Sequence, residues 1–178
     1  MSFFLLQMWK KWDIFLKTIR EGGESLQTTF ILEYRLWKGN EQFTPLYYYE
    51  HIELEQIVAR KECEFYVKNG VTYKQVSSAI EGDICVIYVE IYEEGPIETE
   101  IYSNDESMRV EIRELNSLKN HPLVKTLHFS THMEILHMIG STFIFVDEEE
   151  WLRDSAEIDE DRMVYVFYGT PTGIQWKE

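Results

Sequence analysis

The period of the apolar positions changes near residue 22. Before it, Leu5, Met8, Trp9, Trp12, Phe15, Leu16 and Ile19 recur at three- and four-residue steps, with Gln7, Lys10, Lys11, Lys17 and Thr18 between them. This spacing gathers the large side chains on one stripe and predicts an amphipathic helix over 1–21, stopped by Gly22 and Gly23. Trp9, Trp12, Phe15 and Leu16 form the middle of that stripe. They are the residues through which the helix would dock on the body or pair in a homodimer.

From about residue 27 the pattern is that of strands. Residues 29–37 read as a strand, with a turn at Lys38, Gly39 and Asn40 and a hairpin partner at 46–49. Residues 52–61 fit either a short helix or an extension of that strand. Asn69 and Gly70, set between β-formers at 65–68 and 71–73, predict a two-residue hairpin turn, because both tolerate positive φ. Residues 83–92, 97–102, 108–115 and 123–129 read as further strands. Thr131 with Glu134 predicts a capped helix ending at Gly140. Residues 142–146 and 163–168 complete the strands. Residues 147–152 read as the opening of a short helix before a loop, and 169–173 as a turn or tail.

No internal repeat is evident in the sequence. Short turns between successive strands predict an α+β fold: an antiparallel β-meander sheet, able to curl into a half-barrel, with the N-terminal amphipathic helix and one or two short helices. The expected organisation is a single domain over 1–178, with the helix at 1–21 and an acidic, strand-rich body at 24–178.

Charge sharpens this picture. The 178 residues carry a net charge of −15 and a pI near 4.7. Residues 1–20 hold Lys10, Lys11, Lys17 and Arg20 against Asp13 alone, so the net negative charge lies entirely in the body. Direct nucleic-acid binding is not expected, because no cluster of Lys and Arg in the body stands clear of acids. An anionic membrane surface suits the first helix but would repel the body. No apolar run is long enough for a membrane span, and no cleavable leader is recognisable. Cys63 and Cys85 make no disulfide framework, and a reducing cytoplasm is the simplest setting.

Candidate chemistry is sparse. His121, His128, His132 and His137 fall close together, but on a helix His132 and His137 lie about 140° apart and do not converge on one ion. His51-Ile52-Glu53 and His132-Met133-Glu134 lack the Pro-Cys-x-x-Cys that completes a zinc deaminase site. No nucleophile elbow, Walker loop or dinucleotide fingerprint is present. No metal, cofactor or catalytic residue is therefore assigned.

Acid is the remaining material. Nine of the fifteen positions from Asp147 to Asp161 are Asp or Glu, which reads as a solvated loop. Within it Glu148, Glu149, Glu150, Trp151, Asp159, Glu160 and Asp161 make the expected partner-binding set, Trp151 being the apolar anchor. The expected function is a non-enzymatic acidic binding protein that engages a basic macromolecule, as an inhibitor, immunity-like protein or adaptor. One alternative is a small-ligand binder or enzyme, with Tyr47, Tyr49, Tyr66, Tyr73, Tyr88 and Tyr92 lining a concave sheet face. Another is peripheral membrane association through the N-terminal helix.

Overall fold

The computed structural model describes residues 30–97 and 107–175. The N-terminal helix, with Trp9, Trp12, Phe15 and Leu16, and most of the strand expected at 97–102 lie outside them. The described chain runs through β1 (Phe30–Trp37), β2 (Phe43–Ile52), α1 (Leu54–Glu62), β3 (Phe65–Lys68), β4 (Val71–Glu81) and β5 (Ile84–Glu94). It continues through β6 (Met108–Glu114), a 3₁₀ turn (Ser117–Lys119), β7 (Leu123–Phe129), α2 (His132–Ile139), β8 (Phe143–Val146), β9 (Glu149–Asp159) and β10 (Val164–Gln175).

The two lists are one unit built twice. In each, a hairpin (β1–β2, β6–β7) leads into a short helix. A second hairpin (β3–β4, β8–β9) and a long returning strand (β5, β10) follow, and the returning strand pairs in parallel with the first. The registers coincide at a fixed interval. Phe65 faces Lys74 and Phe143 faces Leu152, each pair 78 residues from the other. Leu32 faces Tyr49, as Val110 faces Leu127. Even a bulge recurs: the β4–β5 ladder slips between Gln75 and Ser77, and the β10–β9 ladder slips at the matching Arg153 and Ser155. The repeat escapes the sequence because few identities survive. They are Glu33/Glu111, Arg35/Arg113, Ile57/Ile135, Phe65/Phe143, Ser77/Ser155 and Ile80/Ile158, with Val86/Val166 and Tyr88/Tyr168 in the returning strands.

The sheet is therefore mixed, not an antiparallel meander. Its order is β2-β1-β5-β4-β3-β9-β10-β6-β7, with β8 beside β9. The ladders β1–β5, β6–β10 and β3–β9 are parallel. Turn chemistry reports only neighbouring strands, whereas these three ladders join strands far apart in the chain, so no local signal announces them. The expected helix at 147–152 and the acidic loop after it are instead strand β9, and the tail at 169–173 is part of β10. In β9 the acids alternate with apolar residues: Ala156 and Ile158 are buried in the core, and Glu157 and Asp159 take the opposite face.

Both helices cover one face of the sheet. Ile57 and Ala59 of α1 and Ile135 and Ile139 of α2 share a core with Leu32, Ile87, Val89, Val110, Ile112, Tyr165 and Phe167. Thr131 accepts from the Glu134 amide, and the Glu134 carboxylate accepts from the Thr131 amide, the capping box expected for α2. The opposite face holds the repeated Glu-x-Arg. Arg35 binds Glu33 at 2.7 Å and Glu81 at 2.8 Å, and its guanidinium lies 4.6 Å from the Phe43 ring centre. Arg113 binds Glu111 at 2.8 Å, and the buried Arg162 joins Glu111 at 3.0 Å to Asp159 at 2.6 Å.

Candidate acidic binding surface

The two halves meet where β3 lies against the end of β9, Phe65 opposite Glu157 and Val67 opposite Asp159. The loop that follows β9 secures this seam. In the first half, β4 passes to β5 through Gly82 and Asp83 alone, whereas in the second half Glu160, Asp161, Arg162 and Met163 make the passage. The second loop is two residues longer, which moves the interval between equivalent positions from 78 to 80, as in Ile84 and Val164.

This longer loop carries Glu160 and Asp161, and both act across the seam. Glu160 takes Arg60 at 2.7 Å and Lys68 at 2.6 Å. It also accepts from the hydroxyls of Tyr49 at 2.7 Å and Tyr66 at 3.2 Å. Burial works against its charge, yet Arg60, Lys68 and Tyr49 together hold its carboxyl below the usual range. Asp161 accepts both turn amides of the β3–β4 hairpin, from Asn69 and Gly70, at 2.7 Å each. Arg153 adds a second tie, with Nη1 and Nη2 donating to the two Glu64 oxygens at 2.8 Å.

The expected partner-binding residues are thus divided between two places. Asp159 is buried with Arg162, and Glu160 and Asp161 hold the seam. Glu149 begins β9 and Asp159 ends it, roughly 33 Å apart at 3.3 Å per residue. Trp151 is buried in the helix-side core, Glu149 and Glu150 are half-buried, and Glu148 is exposed in the β8–β9 turn. The neighbouring Asp147 pairs with Lys125.

The tyrosines divide as well. Tyr66 stacks between Tyr34 at 4.1 Å and Tyr73 at 5.8 Å, and Tyr47 packs edge-on to both Tyr66 and Tyr73. With Tyr49 they form an aromatic layer in the first half's core. Tyr88 lies on the opposite face, giving its hydroxyl proton to Glu81 at 2.7 Å. Tyr92 is 60% exposed. The histidines serve local packing: His121 takes the Asn116 amide at 3.0 Å, His128 meets Ser107 at 2.8 Å, and His132 packs edge-on to Tyr165. Among the described residues no group of three His, Cys, Asp or Glu is placed to hold a metal ion.

The sequence reading missed a second acidic element. Past Val89, where the described ladder with β1 ends, β5 continues as Glu90-Ile91-Tyr92-Glu93-Glu94, and all five residues are exposed. The strand is held here by β4 and by the Phe65 ring, 5.1 Å from that of Tyr92. This arm joins three carboxylates to two exposed apolar side chains. The duplication supplies an internal comparison. The same five positions in β10 are Thr170, Pro171, Thr172, Gly173 and Ile174; Thr170 and Pro171 keep to β9 the register that Glu90 and Ile91 keep to β4, and the ladder then slips, so that Glu149 faces Gln175. The fold therefore makes this strand without acid, and the acids of β5 are not required to form it. The abrupt change from the apolar run 84–89 to acid is the signal in the sequence that could have marked the arm.

No protein-family profile, curated protein or solved structure matches the chain significantly. No helix among the described residues is long and apolar enough to cross a membrane.

Proposed function

We propose that this protein is a non-enzymatic binding protein for a basic macromolecule, engaged through the acidic arm at the end of β5. The observation that carries this reading is the contrast between the two halves. One architectural unit occurs twice, and only the first copy places Glu90, Glu93 and Glu94 around the exposed Ile91 and Tyr92. An apolar anchor within a charged rim is the usual arrangement of an interface that selects its partner by charge. The net charge of −15 supplies a long-range field that speeds the approach of such a partner. Of the acids expected to bind, those at 159–161 are already satisfied within the molecule, so within that set the turn at Glu148 is what competes with the arm.

The test is a titration of the full chain with an oligolysine peptide, followed amide by amide by NMR. The amides at 90–94 shift first and furthest if the arm is the docking surface. Shifts that begin at 147–150 and leave the arm unmoved would sink this reading.

A further inference from the structure

The arm at the end of β5 presents an aromatic ring between two carboxylates, and a β-bulge makes that arrangement. The ladder with β4 pairs Tyr73 with Ile91 and Thr72 with Glu93, so Tyr92 is the extra residue. Tyr73 points into the helix-side core, which puts Thr72 on the opposite face. The Tyr92 ring meets Phe65, whose chain neighbour Tyr66 is in the core, so Tyr92 also takes the opposite face. Glu93 shares that face through Thr72, and Glu90 shares it through Lys74, the partner of Phe65. Without the bulge, simple alternation would send Glu93 to the other face from Glu90 and Tyr92. Tyr92 is 60% exposed, and both acids are exposed beside it. No ion pair joins either of them to Lys74 across the ladder, so both keep their charge for a partner.

We propose that the arm recognises an arginine side chain of its partner, the guanidinium lying over Tyr92 and donating to Glu90 and Glu93. This rests on the arm being the docking surface. The same strand and the same face already hold one arginine in this way. Arg35 donates to Glu33 at 2.7 Å and to Glu81 at 2.8 Å. Its guanidinium lies 4.6 Å from the Phe43 ring centre and 5.8 Å from that of Tyr88, which precedes Tyr92 by one turn of the alternation on β5. Each carboxylate there takes a different part of the planar fork, which a single ammonium cannot reproduce. Lys68 shows what a lysine is given in this protein. It is partly buried, with the ring centres of Tyr47 and Tyr49 at 4.7 Å and 4.8 Å and Glu160 at 2.6 Å. The arm offers one open ring and two separated acids instead. An open ring favours arginine, whose weakly hydrated plane stacks on it at little desolvation cost. The second half carries Thr172 where the first has Tyr92, so the fold does not depend on an aromatic side chain there.

The test titrates the full chain with oligoarginine and with oligolysine of equal length, followed by NMR at the amides of residues 90–94. Oligoarginine should bind about fivefold more tightly. Tyr92→Leu should remove most of that preference by weakening oligoarginine while leaving oligolysine nearly unchanged. Equal affinities for the two peptides, with shifts at 90–94, would overturn the arginine inference and leave the arm as a docking surface. A preference that survives Tyr92→Leu in full would also overturn it, since the ring would then not be what selects. Shifts at 90–94 with neither peptide would remove the arm as a docking surface, and the arginine site with it.

Discussion

Arg60 of the first half and Glu160 of the second meet at 2.7 Å across the seam, each largely buried. Arg60 also lies over the Tyr49 ring, 4.9 Å from its centre. Its Nε and Nη1 find no hydrogen-bond partner, so Glu160 is its principal counter-charge. A buried pair of this kind adds little over an apolar contact, but removing one member leaves the other charge stranded. Glu160→Gln should therefore destabilise the protein by about 3 kcal/mol in chemical denaturation. Adding Arg60→Met should recover part of that loss. A loss under about 1 kcal/mol for Glu160→Gln, the range of an exposed pair, would mean that the seam is not held here.

Glu157 gives the pH dependence an unusual sign. Burial, with the charge of Asp159 nearby, pushes its carboxyl up to about 7. Unfolded, the group titrates near the ordinary value of about 4.3. Between those values the native state holds a proton that the unfolded state releases, so stability falls as pH rises from about 4.3 to 7 and then levels. Glu160 and Glu111 are held low and act oppositely, their contribution being lost as pH falls through the carboxylate range. Glu157→Gln should accordingly exceed wild type in stability at pH 8, by on the order of 2 kcal/mol, and match it near pH 4. Denaturant melts at the two pH values check this. An equal difference at both would show that the effect is not one of charge.

The cysteines should be inert in the native state. Both are free and buried, and burial together with Glu64 pushes the Cys63 thiol up. A thiol reagent at pH 8 should label neither within minutes and both after denaturation. Prompt labelling of Cys63 would show that the seam beside it opens readily.

Much of the secondary structure was legible in the sequence, and the reasons are local. Asn69-Gly70 forms its hairpin turn with Asn69 at φ 56° and Gly70 at φ 73°. Thr131 and Glu134 form their capping box. In β9 the density of acid masks the period-two alternation of Ala156, Glu157, Ile158 and Asp159, so the strand reads as a solvated loop. The parallel ladders were beyond any local signal, since Tyr34 meets Ile87 only after β2, α1, β3 and β4 have been laid down. Of the acidic set at 147–161, sequence could not separate Glu160, which has partners waiting at Arg60 and Lys68, from Glu148, which stays in solvent. The arm at 90–94 became visible only when the fold supplied its acid-free counterpart at 170–174.

Stability should be indifferent to the arm. Glu90→Gln, Glu93→Gln and Glu94→Gln together remove three exposed carboxylates at positions where the second half has none. Their melting temperature should equal or exceed that of wild type, because like charges along one strand repel. A fall of several degrees would show that the acids serve the fold.

The decisive measurement compares three baits at low salt: wild type, the Glu90/Glu93/Glu94→Gln protein and a Glu148/Glu149/Glu150→Gln protein. The two variants carry the same net charge, so any difference between them reports position. The basic proteins each bait retains from a host lysate are quantified by mass spectrometry. The account predicts that the arm variant loses about tenfold of the retained material while the other keeps most of it. Equal losses from both would reduce the interaction to net charge, and a loss confined to the Glu148 set would place the surface at the β8–β9 turn and contradict the role given to the arm.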